Sequence, residues 1–273
     1  MDIILIQIVF LIITFILGIS VGSFLNVVVY RYQTGATMVK DRSRCMSCGK
    51  TLTARMLVPV LSYLLQGGRC AYCKSKLSIQ YPLVELAGGL LAALVLVKSG
   101  ILTLNLSLES YVRLSMDLLF FWCLLAITVY DIKHKIIPDR FSVVLLGIAF
   151  IRGIGLALVA HSMFLPMVAT SLGVALFFAL LWLVSGGRWM GLGDAKLALG
   201  LGLFLGYPVG ASIAILAFWL GTIPALVLLT MRKGITMKSE IPFAPLLALS
   251  TLILYVYPID ILQLHVIWPN LFY

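Results

Sequence analysis

Two aspartates stand where an apolar run of the sequence meets a polar turn. Asp194 lies in the run GLGDAK at residues 191–196, and Asp131 opens the polar turn at residues 131–140. A charge at the edge of a membrane span is costly unless water, a partner or a function keeps it there. We therefore expect the two carboxyl groups to act together. One carboxylate can activate water while the other, protonated, polarises a peptide carbonyl, which is the chemistry of an aspartyl protease.

The neighbours of this pair contain further polar and glycine residues. Gly191 and Gly193 are expected to let the backbone approach a substrate closely. Lys196 could tune the pair, but we favour a simpler role in membrane topology, as for the cluster at residues 133–135. Asp139 follows a proline and is expected to cap a helix. Three acids on the opposite side of the membrane are expected to lie too far away to join the pair: Glu109, Asp117 and Asp260.

Four cysteines form two C-x-x-C pairs with 21 residues between them: Cys45 with Cys48, and Cys70 with Cys73. Each pair can place two thiolates on one turn, and two such turns complete a tetrahedral zinc site. The pattern predicts structural zinc, with a redox pair or free thiols as the alternatives. Cys123 stands alone in an apolar run and is expected to be a buried apolar side chain.

The composition excludes an ordinary soluble domain. The 273 residues are 62% hydrophobic and 11% charged, whereas a soluble domain is about 45–50% apolar and about 25% charged. Residues 31–76 supply +8 of the formal charge of +10. This local excess indicates membrane topology rather than nucleic-acid binding. The first residues lack the features of a cleaved secretory signal, so the first apolar run is expected to be retained.

Eight membrane spans can be placed, because about 20 apolar residues cross a bilayer. We place them at residues 3–24, 82–97, 114–130, 141–160, 164–184 and 242–257, with a short and a full span within 197–231. The polar segments on one side hold 17 of the 20 Lys and Arg residues, so this side, with both aspartates, is expected to be cytoplasmic. Arg152, inside the fourth span, has no evident partner in the sequence.

The predicted fold is an all-α polytopic membrane protein with a cytoplasmic zinc-binding loop between helices 1 and 2. We divide it into a first transmembrane helix (1–24), a tetracysteine loop (25–82), helices 2–3 (83–130) and a peptidase core with helices 4–8 (131–273). No clear repeat is expected. The glycine spacings 18/22, 202/206 and 206/210 are typical of closely packed helices.

Five motifs, in order, resemble those of the bacterial type IV prepilin leader peptidases, also called prepilin peptidase and N-methyltransferase. They are the run GSFLNVVVYR at 22–31; the cysteine loop with VPVLSY at 58–63 and YPLVEL at 81–86; Asp131 with IPD at 137–139; GLGD at 191–194, which fits a GxGD motif; and PFAP at 242–245. Ala244 replaces a glycine of the family pattern, and Gln33 stands where proline is common. Neither departure touches a candidate catalytic carboxylate.

The resemblance implies an inner-membrane enzyme with Asp131 and Asp194 as catalytic residues at the cytoplasmic face. It implies cleavage of a prepilin or pseudopilin leader after a glycine, for pili, secretion or DNA uptake. S-adenosylmethionine would then methylate the new N-terminal amine. The only large polar segment is the cytoplasmic loop, so we expect the cofactor to bind within Gly22 to Arg31 and Cys45 to Glu85. Glu85 is a candidate for assisting the transfer, or else pairs with a loop arginine.

Two other functions remain open on the sequence. An ion-coupled membrane transporter would use Asp131 and Asp194 to bind a cation, but such proteins often contain inverted repeats, and none is evident. A peptidase without methyltransferase activity, as in archaeal preflagellin peptidases, would resemble only the part after about residue 114. This chain retains the cysteine loop. The expected partners are the lipid bilayer and pilin-like substrates, not nucleic acid, and the oligomeric state is not given by the sequence.

Overall fold

Helices make up most of the part of the chain that the structure describes. The computed structural model describes residues 3–35, 37, 41–103, 107–159, 164–230 and 242–264, and in these ranges contains no β-strand, only two isolated β-bridges. The chain forms two compact units, Met1–Ala126 and Ile127–Tyr273. The predicted all-α class is therefore confirmed.

The described helices follow the apolar runs of the sequence. They are α1 (Ile3–Arg31), α2 (Leu61–Leu65), α3 (Gln80–Lys98), α4 (Leu108–His134), α5 (Asp139–Val159), α6 (Phe164–Ser185), α7 (Leu192–Leu205), α8 (Ser212–Thr230) and α9 (Ala244–Val256). Four of them, α1, α3, α4 and α6, are long and apolar enough to cross a membrane. The chain is thus a multi-pass membrane protein, while the count of eight spans stays a prediction. The segments that separate the spans placed at 141–160 and 164–184, and those within 197–231 from the span at 242–257, lie outside the described residues.

In the first unit, α1 and α3 pack through glycines. A Cβ atom on Gly22 would lie 2.7 Å from the Val84 carbonyl oxygen, closer than side chains tolerate. The close packing predicted for this glycine is therefore confirmed. The helix continues through Arg31 rather than ending at Phe24, because buried Asn26 donates its amide to the Tyr81 carbonyl of α3 at 3.1 Å.

In the second unit, the short helix α7 is packed against α5, α6 and α9. Its small residues allow this: a Cβ on Gly200 would lie 2.9 Å from a methyl of Leu145, and one on Gly202 would lie 2.9 Å from the Cα of Ser171. Gly206 has a different role from the predicted one. It adopts φ +70°, and its N–H closes the end of α7 on the Gly202 carbonyl at 2.9 Å, a backbone conformation that glycine adopts at least cost.

Arg152 finds its partner at the end of α7. Its guanidinium donates to the Phe204 carbonyl at 3.0 Å and lies 4.3 Å from the centre of the Phe204 ring. The last carbonyls of a helix lack partners within it and attract positive charge. The short length of α7 thus accounts for a basic residue in an apolar run of α5.

Candidate active site and tetracysteine cluster

The two candidate aspartates lie at helix ends in the second unit. Asp131 belongs to the last turn of α4, and Asp194 to the first turn of α7. Their residues are only 5% and 8% exposed, respectively, and Asp131 lies within electrostatic range of the Asp194 carboxyl. The structure therefore brings together the two side chains that the sequence singled out.

Asp194 is oriented by its own helix start. Its Oδ2 accepts the Gly191 N–H at 3.2 Å, and its own N–H donates to the Gly191 carbonyl, also at 3.2 Å. The first N–H groups of a helix lack partners within it, and this end of the helix favours negative charge. The carboxyl group is therefore fixed in place by the backbone, with one hydrogen bond to Oδ2.

Asp131 is oriented by a different helix. It lies near the carboxyl end of α4, which disfavours an anion. Its Oδ2 accepts the N–H of Ala244, the first residue of α9, at 3.2 Å. This contact was not predicted. The signal was the PFAP motif at 242–245, whose second proline is typical of a helix start.

The glycines of the GLGD run have separate structural roles. A Cβ on Gly193 would lie 3.0 Å from the Cβ of Ile137, so this glycine lets the start of α7 approach the turn between α4 and α5. A close approach of both glycines to a substrate stays a prediction. At Gly191 the nearest atom to an added Cβ is the Asp194 Oδ2, at an ordinary 3.7 Å.

Lys196 contacts Asp139. Its Nζ lies 2.7 Å from Asp139 Oδ1, and both side chains are substantially exposed. Asp139 is the first residue of α5, and its described contact is this ion pair rather than the helix cap that was expected. The pair joins the start of α5 to α7.

His134 stacks on Tyr130, one turn earlier in α4, with ring centres 4.4 Å apart.

The four cysteines of the two C-x-x-C pairs lie together in the first unit. Their sulfur atoms all lie within 4.8 Å of one another, and those of Cys45 and Cys73 are 3.8 Å apart. Tetrahedral zinc with bonds of about 2.3 Å separates its sulfur ligands by about 3.8 Å. The donor set and spacing therefore fit a Cys₄ zinc site. Cys123 lies on α4, outside this cluster.

The two pairs form equivalent turns, a repeat that the sequence analysis missed. The Cys45 N–H donates to the Lys50 carbonyl and the Cys70 N–H to that of Ser75, both at 2.9 Å. A β-bridge closes each turn, Arg44 with Thr51 and Arg69 with Lys76. The signal was the pattern R-C-x-x-C-x-x-x-L, which begins at residues 44 and 69.

The pKa values of two of these thiols are shifted in opposite directions by their surroundings. The N–H groups of Cys48 and Ser47 lower the pKa of Cys45 to about 6. The Lys50 N–H lowers the pKa of Cys48, but partial desolvation and the neighbouring sulfurs of Cys45 and Cys73 outweigh it and raise that pKa to about 11. Since zinc binds thiolates, metal binding at this cluster must displace at least one proton.

Glu85 lies in α3 of the first unit. It is buried, and its Oε2 accepts the Val60 N–H at 2.7 Å, with the Ser23 side chain beside the same carboxyl group. Its described partners are thus a backbone amide and a hydroxyl, whereas the sequence analysis had considered a loop arginine. Glu85 joins the cysteine loop to α1 and α3.

Family models match both an N-terminal and a C-terminal part of the chain. Residues 16–99 match the bacterial peptidase A24 N-terminal domain, and residues 118–226 match the type IV leader peptidase family. A prepilin leader peptidase/N-methyltransferase of Pseudomonas putida is 33% identical, over 86% of this chain and 86% of its own length. The chain belongs to the type IV leader peptidase family. Other members bear the same name: that of Pseudomonas aeruginosa is 31% identical over 88% of each chain, and that of Bacillus subtilis 29% identical over 93% of this chain and 97% of its own.

No solved structure matches this chain. Within the leader peptidase family model lie Asp131, Asp194 and the Lys196–Asp139 pair, whereas Ala244 lies beyond its last matched residue. The four cysteines and Glu85 lie within the N-terminal model. The resemblance stated from the motifs is confirmed.

Proposed function

We propose that this protein is a membrane endopeptidase that removes the leader of type IV prepilins or pseudopilins and then methylates the new N-terminal amine. The observation that carries the proposal is the pair of buried carboxyl groups at the ends of α4 and α7. They occur in a family whose members bear the name of this bifunctional enzyme.

The cleavage step uses both carboxyl groups with one proton between them. The ionised member removes a proton from water, which attacks the scissile carbonyl. The protonated member donates a hydrogen bond to the carbonyl oxygen and later a proton to the leaving amine. Two nearby carboxyl groups in a site of low polarity cannot easily both ionise, so they titrate as a pair.

The backbone contacts keep the reactive oxygens in position. The Oδ2 of each aspartate accepts a backbone N–H, from Gly191 for Asp194 and from Ala244 for Asp131. These bonds fix the plane of each carboxyl group, so that its Oδ1 can be directed at water or peptide. We assign Gly191, Gly193 and Lys196 supporting roles, in orienting Asp194 and in packing and pairing α7 with neighbouring residues.

Methyl transfer is assigned to the tetracysteine loop and its flanks, separate from the peptidase core at 131–273. S-adenosylmethionine would supply the methyl group and leave as S-adenosylhomocysteine, and the pilin amine must be neutral to accept that group. An α-amino group titrates near pH 8, so an acceptor for its proton assists the reaction. Within Gly22 to Arg31 and Cys45 to Glu85, buried Glu85 is our candidate for that acceptor. The four cysteines would hold zinc, and its role would be structural because four protein ligands leave no position for a reacting water.

The enzyme is proposed to sit in the bacterial inner membrane with this chemistry at the cytoplasmic face. The distribution of basic residues supports that orientation, since 17 of 20 fall in segments on one side, and cytoplasmic loops carry such an excess. Pilin-like proteins, which are made in the cytoplasm, would present their leaders there.

The test is to incubate the purified protein with a prepilin and labelled S-adenosylmethionine, and to follow leader release and labelling by mass spectrometry. We expect cleavage first and a single methyl group on the new N-terminus. Cleavage without labelling would leave a peptidase alone. No cleavage of any prepilin, with cation flux in proteoliposomes, would favour a transporter.

A further inference from the structure

The cysteine loop contains an exposed apolar turn between its two C-x-x-C pairs. This turn, residues 57–65, includes α2 and is called here the leucine turn. Its large apolar side chains are exposed: Leu57, Val58, Leu61, Leu64 and Leu65, with Leu65 at 78%. A cluster of apolar side chains on a polar loop marks an interaction site.

The position of the leucine turn along the membrane normal follows from its anchor. The Val60 N–H donates to Glu85, which lies five residues into α3 and so about 7.5 Å beyond its start. Ser23, beside the same carboxyl group, lies eight residues before the end of α1, or about 12 Å. Both helices are apolar enough to span a membrane. The leucine turn is therefore held alongside α1 and α3, short of the ends of both helices rather than beyond them.

The backbone conformation of Val60 supports this position of the leucine turn. Val60 adopts φ +61° and ψ −53°, a conformation that β-branched residues disfavour. The hydrogen bond to Glu85 stabilises it, and α2 starts directly afterwards. Gly67 and Gly68, both at positive φ, then return the chain to the second cysteine pair.

Charges at both ends of the turn complement an anionic surface. Arg55 precedes it and Arg69 follows it, and both are exposed. Of the described residues from 41 to 79, seven are basic and only Asp41 is acidic. Basic residues beside inserted apolar side chains are typical of segments that bind the surface of an anionic bilayer.

We infer that the leucine turn inserts into the cytoplasmic leaflet of the membrane, with its leucines among the acyl chains and the flanking arginines on anionic lipid headgroups. The loop is then a membrane-bound element between two spans rather than a free cytoplasmic domain. This orientation would hold the cysteine cluster at the membrane surface.

The experiment uses photocrosslinking in the full-length protein. Leu64→p-benzoylphenylalanine is compared with Met46→p-benzoylphenylalanine, because the two residues are equally exposed, at 66% and 64%, but Met46 lies on the first cysteine pair. The proteins are reconstituted in vesicles of phosphatidylcholine, alone or mixed equally with phosphatidylglycerol, and adducts are identified by mass spectrometry. Zinc content and prepilin cleavage report that each variant is folded.

We expect phospholipid adducts at position 64, and about ten-fold fewer at position 46. Yield at position 64 should rise with phosphatidylglycerol. Arg55→Gln or Arg69→Gln should each lower that rise by up to about five-fold, whereas Arg113→Gln, at the start of α4, should not. Equal lipid adducts at both positions would overturn the inference. So would adducts at position 64 formed with added prepilin or with a second copy of this chain. Because cleavage is measured in the same samples, failure of the inference is distinguishable from failure of the proposed enzyme function.

Discussion

At the scale of single residues, the carboxyl pair depends on backbone groups that a sequence motif does not reveal. Asp194 accepts an N–H from its own turn, but Asp131 accepts one from Ala244, which is 113 residues away. Ala244 is fully buried and starts α9. The identity of residue 244 should therefore affect the peptidase through Asp131.

Ala244→Gly should retain cleavage to within a few-fold, because the N–H remains and only a methyl group is lost. Ala244→Val keeps the N–H but adds two methyl groups in a packed position, which commonly costs about 1–3 kcal/mol. We expect the valine variant to cleave at least about ten-fold more slowly, because the start of α9 must shift away from Asp131. Initial rates on one prepilin measure both variants. Equal rates for valine and glycine would contradict a positioning role for this amide.

The Lys196–Asp139 pair should contribute little. Both side chains are substantially exposed, and such pairs are worth about 0–1 kcal/mol. Asp139→Asn and Lys196→Met should each keep cleavage within about five-fold of the unmodified enzyme. A loss of a hundred-fold or more in either variant would place the pair in the catalytic machinery. The double variant measures the coupling between the two side chains. Its loss of cleavage, expressed as a free energy, should not exceed the sum of the losses in the two single variants.

At the scale of elements, the tetracysteine loop is built from two equivalent turns. Each turn points backbone N–H groups at its sulfur atoms, and the two turns face each other across one candidate metal position. Zinc is therefore expected to be part of the folded loop and not an added ligand.

We predict about one zinc per chain in protein purified without chelator. Cys48→Ser should remove most of it, whereas Cys123→Ser should retain it, because Cys123 lies on α4 outside the cluster. Acidification should release zinc as protons compete for the thiolates. Elemental analysis of the purified variants measures all three outcomes. Equal zinc in the Cys48 and Cys123 variants would exclude the Cys₄ site.

Apolar runs made most helices predictable, but their exact ends depended on contacts between elements. The end of α1 could not be read from hydropathy, because polar Asn26 is satisfied by the Tyr81 carbonyl of α3. Similarly, hydropathy alone makes Arg152 unfavourable within a span. The structure accounts for it, because α7 ends early and its Phe204 carbonyl accepts a hydrogen bond from Arg152. Asp131 and Asp194 could be predicted as site residues because a carboxylate at the edge of a membrane span costs free energy. The Ala244 contact could not be predicted, since it depends on the start of a distant helix.

At the scale of the whole molecule, the two proposed activities belong to different compact units. The carboxyl pair lies in Ile127–Tyr273, and the cysteine cluster with Glu85 lies in Met1–Ala126. The two family models divide the chain in the same order. The sequence could indicate this division because each part has its own motifs.

Glu85→Gln should therefore lower methylation more than cleavage. A glutamine oxygen can still accept the Val60 N–H, but it cannot take up a proton from the amine. We expect methylation to fall by about a hundred-fold, with cleavage within a few-fold of the unmodified enzyme. The comparison uses a prepilin for cleavage and a pre-cleaved pilin peptide with labelled S-adenosylmethionine for methylation. Proportional loss of both activities at normal zinc content would contradict two separate sites.

The carboxyl pair is tested most directly by Asp131→Asn and Asp194→Asn, each purified and assayed on a prepilin and on a pre-cleaved pilin peptide. An amide can neither remove a proton from water nor donate one to the leaving amine. We predict that each variant loses leader cleavage by at least about a thousand-fold while it retains zinc and still methylates the pre-cleaved peptide. Substantial cleavage by either variant would contradict the account.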